Sequence, residues 1–161
     1  MSRYFLILFV FLNLGCFRYA RKKLSIKPND KVLENKPLRT DGIYLAPLEK
    51  EVPYFVLYAN GVIFKGVSRG GDKESVLISF NRKYKPWADH PIGWGSFKIS
   101  SNIILVETWI SGDLGPYDSL KATGRIVNDS TIILGDNGRP NNTYYFHALE
   151  HKPDSTMRWF R

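Results

Sequence analysis

Short runs of aromatic and β-branched residues, separated by tight-turn signals, recur from Thr40 almost to the end of the chain. This spacing constrains the fold more than any other feature, because strands joined by only a few residues must pair with their neighbours in sequence. TDGIYLAP predicts a first strand from Thr40 to Ala46, closed by Pro47. In YFVLYANGVIFKGVS two β-prone runs flank Asn60 and Gly61. Asn-Gly in that setting signals a hairpin, since a type I′ turn needs positive φ at both central residues. GWGSFKISSNIILVETWIS predicts two strands joined at Ser101 and Asn102, and DSLKATGRIVNDSTIILG repeats the design around Asn128 and Asp129. TYYFHALEHK and MRWFR supply one or two final strands. An antiparallel meander of this size has two exposed edges unless it closes on itself. The expected fold is mainly β, a small antiparallel up-and-down barrel of seven or eight strands with one short helix.

The helix is expected in DKESVLISFNRKYKPW, where Val76, Leu77, Phe80 and Tyr84 recur at helical spacing, Asp72 can cap and Glu74 sits in the first turn. Pro86 would stop it, and a strand from Ser75 to Phe80 is the alternative. With this helix placed over one end, the architecture resembles that of lipocalins and other calycin-like barrels. The resemblance is one of architecture only: DGIYLAP has tyrosine where lipocalins carry the tryptophan of their Gly-x-Trp motif.

The N-terminus bears on compartment. The apolar run from Tyr4 to Phe17 covers 14 residues, or about 21 Å as a helix, against a hydrocarbon core of about 30 Å. It is short for a membrane span and fits the apolar region of an export signal, preceded by Arg3. LNLGC at its end resembles the lipobox of bacterial lipoproteins, in which cleavage before the cysteine exposes it for acylation. The resemblance implies a signal peptide at 1–15 and a lipid on Cys16, the sole cysteine of the chain. It implies a lipid-anchored protein of the cell envelope, on the periplasmic face of an outer membrane or at the cell surface. Arg18, Arg21, Lys22 and Lys23 follow the apolar run, and the positive-inside rule makes a short reverse-oriented anchor the competing reading, beside a plain cleaved signal.

Residues 16–38 read as a Lys-, Asn- and Pro-rich tether, and 39–161 as the barrel domain. The formal charge of +8 falls to +7 when Arg3 leaves with residues 1–15. That balance suits anionic surfaces, yet no dense basic stripe or RNP-type motif makes nucleic acid a partner. A single cysteine excludes an internal disulfide and any multi-cysteine metal site.

Candidate chemistry is sparse. His90, His147 and His151 are the only histidines, and a catalytic metal needs several such ligands converging. On a strand His147 and His151 would lie about 13 Å apart. No GxSxG elbow, P-loop or GxGxxG occurs. The expectation is a non-enzymatic protein without metal or cofactor. The loop PWADHPIGW is the more suggestive element. Trp87 and Trp94 bracket Asp89 and His90 there, and with Trp109 they could offer stacking faces and hydrogen bonds to an amphipathic or glycan-like ligand at a barrel mouth. The plainer reading has these rings buried as core. SGDLGPYDS carries Asp113 and Asp118, for which turn chemistry suffices. The tripeptides at Asp118, Asp129 and Asp154 resemble acceptors of a bacterial O-glycosylation system and equally suit ordinary turns.

Two functions follow from this reading. A ligand-binding barrel requires a cavity lined by inward residues of alternating strands. A structural module docking onto a cell-envelope complex requires a filled barrel with an exposed apolar patch.

Overall fold

The computed structural model of the chain describes residues 23–34, 38–46, 48–81, 90–111, 117–136, 141–152 and 154–155. Eight strands form a closed barrel in sequence order: β1 (Gly42–Leu45), β2 (Glu51–Leu57), β3 (Val62–Arg69), β4 (Trp94–Ser100), β5 (Ile103–Ile110), β6 (Asp118–Asn128), β7 (Thr131–Asp136) and β8 (Asn142–Ala148). Every pairing is antiparallel, and β1 closes onto β8 through the register Tyr44↔Phe146. Closure removes both sheet edges, as the meander pattern requires.

Period-two alternation sorts the apolar residues into two layers. One parity fills the barrel with a cluster drawn from every strand, including Tyr44, Phe55, Ile63, Phe97, Ile132 and Tyr144. Tyr44 stacks on Phe55 at 5.0 Å between ring centroids, and Phe55 meets Tyr144 at 4.8 Å. The other parity on β1 to β5 forms a second cluster outside the wall, with Val56, Phe64, Trp94 and Trp109 among its members. The single helix among the described residues, α1 (Lys73–Asn81), lies on this outer layer. Its Phe80 packs edge-on against Tyr54 at 5.1 Å and lies 6.4 Å from Phe64. The helix expected from the spacing is therefore present, but it covers the barrel's side and not its end. The reason is the outward parity of Tyr54 and Phe64, which leaves large rings that water would otherwise meet. Asp72 caps the helix as expected, its Oδ1 accepting the Ser75 N–H at 2.7 Å. Tyr84 and Pro86 lie outside the described residues.

The turns at the closed end refine the sequence reading. The Asn60–Gly61 hairpin forms, but only Gly61 has positive φ, at 78°. Gly61 N–H donates to Tyr58 O at 3.0 Å and Tyr58 N–H to Val62 O at 3.0 Å. This is a three-residue loop with glycine at its left-handed position, in place of the two-residue type I′ turn. The β6–β7 turn falls at Asp129 and Ser130, one residue later than expected, because a bulge between Ile126 and Asn128 absorbs a residue. At the β4–β5 turn Ser101 has φ 56°, a conformation that costs a non-glycine residue about 1 kcal/mol or more. Ser101→Gly is expected to raise stability by about 0.5–1 kcal/mol in chemical denaturation; no gain would mean that Ser101 carries little strain.

The segment from Lys23 to Glu34, part of the expected tether, is packed onto the barrel. Leu24 is buried in the outer cluster, while Val32, Leu33 and Leu38 pack against the interior cluster. Arg39 N–H donates to Asp129 O at 3.1 Å, and Tyr44 Oη donates within reach of both Arg39 O and Asp129 O. Residues 28–34 and 38–39 thus cover the hairpin end of the barrel, which is its closed end. Lys152, in the C-terminal tail, donates to Thr40 O and Leu57 O and lies 4.1 Å from the Tyr58 ring.

Candidate ligand site at the barrel mouth

The strand ends opposite the hairpins carry the longer connections: β1 to β2, β3 through α1 to β4, β5 to β6, and β7 to β8. At this end the interior is not filled. A cavity of about 310 Å³ opens there, lined by inward residues of β2, β3, β5, β6, β7 and β8. Leu134 and Tyr144 belong both to the packed interior and to the cavity lining, and so mark where the core stops. Pro53, Ile110 and Leu120 make the wall apolar, while Glu51, Lys65, Thr108 and Asn142 add polar groups to it. Glu51 and Asn142 are the first residues of β2 and β8 and so sit at the rim. Three exposed apolar residues complete the rim, Leu48, Val67 and Ile92, at 43%, 43% and 42% exposure.

Gly93 stitches the rim together. Its N–H donates to Trp109 O and its O accepts from Lys65 N–H, both at 2.8 Å. It thereby bridges β3 to β5 just before β4 begins. Its φ is 84°, and a Cβ there would run into the Lys65 carbonyl. Gly93→Ala is expected to cost about 2–4 kcal/mol, from left-handed strain plus the lost close approach. Unchanged denaturation midpoints would show that the bridge is dispensable.

The expected site residues divide. Trp94 is not on the loop but opens β4, fully buried and pointing outward, 4.9 Å from Phe64 and 5.9 Å from Tyr58 between ring centroids. It offers no open ring face, because its parity places it in the outer aromatic layer. Trp109 is 3% exposed and belongs to the same layer while bordering the cavity. His90 is exposed on the loop before Gly93. Trp87, Asp89 and Cys16 lie outside the described residues, as do Asp113 and the tripeptide's Thr156. Apart from Trp109, the cavity-lining set was absent from the sequence reading, yet it had a detectable signal. At the mouth ends of the strands the inward positions change from large apolar residues to Pro53, Lys65, Thr108 and Asn142.

A second polar centre lies on the outer wall. Glu107 is buried, and its Oε2 accepts the Ser25 N–H at 2.6 Å, the Ser25 Oγ–H at 2.8 Å and the Ile26 N–H at 2.9 Å. Its Oε1 lies 3.3 Å from Ser119 Oγ and 3.9 Å from Lys121 Nζ. Ser96 Oγ donates to Ile26 O. Burial alone would raise the carboxyl pKa, but the donors from Ile26 and Ser25, with Lys121, hold it below the ordinary value. This saturated carboxylate clamps residues 25 and 26 to β5. The lone acidic residue within the apolar strand IILVETWI was its sequence signal.

His147 is half-buried on β8; burial and Lys73 lower its pKa while Glu74 opposes them. Among the described residues no group of His, Cys, Asp or Glu could hold a metal ion, and no helix is long and apolar enough to cross a membrane. No family model, no curated protein and no solved structure matches the chain.

Proposed function

We propose that the chain is an exported, lipid-anchored protein of the cell envelope whose barrel binds an amphipathic ligand at its open end, without catalysis. The observation that carries the binding reading is the cavity at the mouth, which begins where the packed interior ends. A filled barrel would have favoured docking alone. The wall supports an amphiphile over a glycan, since Pro53, Ile110, Leu120 and Leu134 suit an apolar tail. Glu51, Lys65 and Asn142 can receive a polar head. The anchoring part rests on LNLGC and the position of Cys16.

Binding is tested by titrating the protein with a fluorescent polyene fatty acid and displacing it. The expected result is saturable binding at one site per chain, displaced by single-chain amphiphiles and not by oligosaccharides. Displacement by oligosaccharides alone would replace the amphiphile with a glycan, and no saturable binding would overturn the reading. Anchoring is tested by the intact mass of the membrane-fraction protein beside a Cys16→Ser variant. Loss of residues 1–15 with added mass that the variant lacks is expected; an unprocessed chain would overturn it.

A further inference from the structure

We infer that the rim of the barrel mouth is a bilayer-contact surface, so that the cavity opens toward the membrane that carries the protein. The inference rests on the lipid-anchored reading and adds an orientation to it. Two independent observations carry it.

The first is the rim itself. Leu48 from the β1–β2 connection, Val67 from the end of β3 and Ile92 from the loop before β4 converge on one opening, and each is more than 40% exposed. Scattered exposed apolar residues need no explanation, but three from separate segments around one cavity mouth form a patch. The neighbouring charges, Lys50, Lys65 and Arg69 against Glu49 and Glu51, nearly balance. Apolar contact, more than charge, would therefore seat this rim in an interface.

The second is the path of the N-terminal strap. Pro28 and Asn29 lie against Gly61 at the closed end, Ile26 lies beside Ser96, and Ser25 is clamped by Glu107. Glu107 precedes Ile110, the mouth-side end of β5, by three residues, or about 10 Å of strand. Toward its N-terminus the strap thus crosses the wall from the closed end to the mouth side. From Ser25 back to Cys16 is nine residues, at most about 30 Å of chain. An acyl group on Cys16 would tether the barrel from its mouth side, and Arg18, Arg21, Lys22 and Lys23 would fall among the headgroups. An amphiphile could then pass between bilayer and cavity without its tail crossing open water.

The test uses the full chain, expressed with its own N-terminus and reconstituted into vesicles of phosphatidylethanolamine and phosphatidylglycerol. Single thiols are introduced by Ile92→Cys or Leu48→Cys at the rim and by Val127→Cys, which is half-exposed beside the β6–β7 turn at the closed end. Each is labelled with a fluorophore and exposed to a lipid carrying a nitroxide near its headgroup. At least twofold stronger quenching at both rim positions than at position 127 is expected. A Leu48→Asp substitution should weaken quenching at the Ile92→Cys label without moving that at the Val127→Cys label. Equal or reversed quenching would overturn the inference. So would a rim label shielded from both lipid and aqueous quenchers, which would mean that a protein covers the rim. An unmodified Cys16 on vesicle-bound chains would defeat the lipid reading alone; the labels are then repeated in a Cys16→Ser background, where rim quenching on vesicle-bound chains still decides the orientation.

Discussion

The double substitution Val67→Trp/Leu120→Trp is expected to weaken amphiphile binding at least tenfold, about 1.4 kcal/mol, while shifting the thermal midpoint by no more than a few degrees. Val67 lies near the end of β3 and Leu120 near the start of β6, so two indoles would enter the mouth from different walls. Neither residue is in the packed interior cluster, and both sites are at least partly exposed. The added rings can therefore occupy cavity without straining the core, which is the usual cost of enlarging a buried side chain. Val127→Trp, which makes the same Val-to-Trp enlargement as at position 67 but at the closed end, should leave affinity unchanged. Isothermal titration with a lysophospholipid reads both effects. Retained affinity in the double variant would place the ligand elsewhere.

Glu107→Ala is expected to destabilise the domain by about 2–4 kcal/mol at pH 7, because it leaves the Ser25 and Ile26 N–H groups without their charged acceptor. Glu107→Gln, which keeps one acceptor oxygen, should fall between it and the native protein. The effect depends on pH in a fixed direction. The folded carboxyl pKa lies below its ordinary value, so the clamp's stabilisation is complete above the unfolded value of about 4.3 and is lost as pH falls through the folded one. The gap between native and Glu107→Ala midpoints should narrow as pH falls below the ordinary glutamate range. Hydrogen exchange should accelerate at Ser25 and Ile26 in the variant at neutral pH. Equal stability at pH 7 would show that the strap is held by Leu24 and the closed-end contacts alone.

The barrel was legible because strands and turns carry local signals. Each hairpin was visible as a β-prone run meeting Asn60–Gly61, Ser101–Asn102 or Asn128–Asp129, and the helix as spaced apolar residues behind Asp72. What local pattern cannot give is which parity faces inward, since both parities of β1 to β3 are apolar. From sequence alone Trp94 brackets a recognition loop and the helix covers an end; β4 begins at Trp94, and closure places its ring and the helix on the outer layer. The strap was hidden for a related reason. Its partner, Glu107, lies 82 residues from Ser25 in sequence, and a polar, proline-containing segment reads as a linker until that acceptor is in place.

Whether the mouth holds an amphiphile is tested most directly by native mass spectrometry of the protein released from its own membranes in mild detergent, beside Val67→Trp/Leu120→Trp. The account predicts one bound single-chain amphiphile per native chain, absent from the double variant. The same complement on both proteins, or none on either, would contradict it.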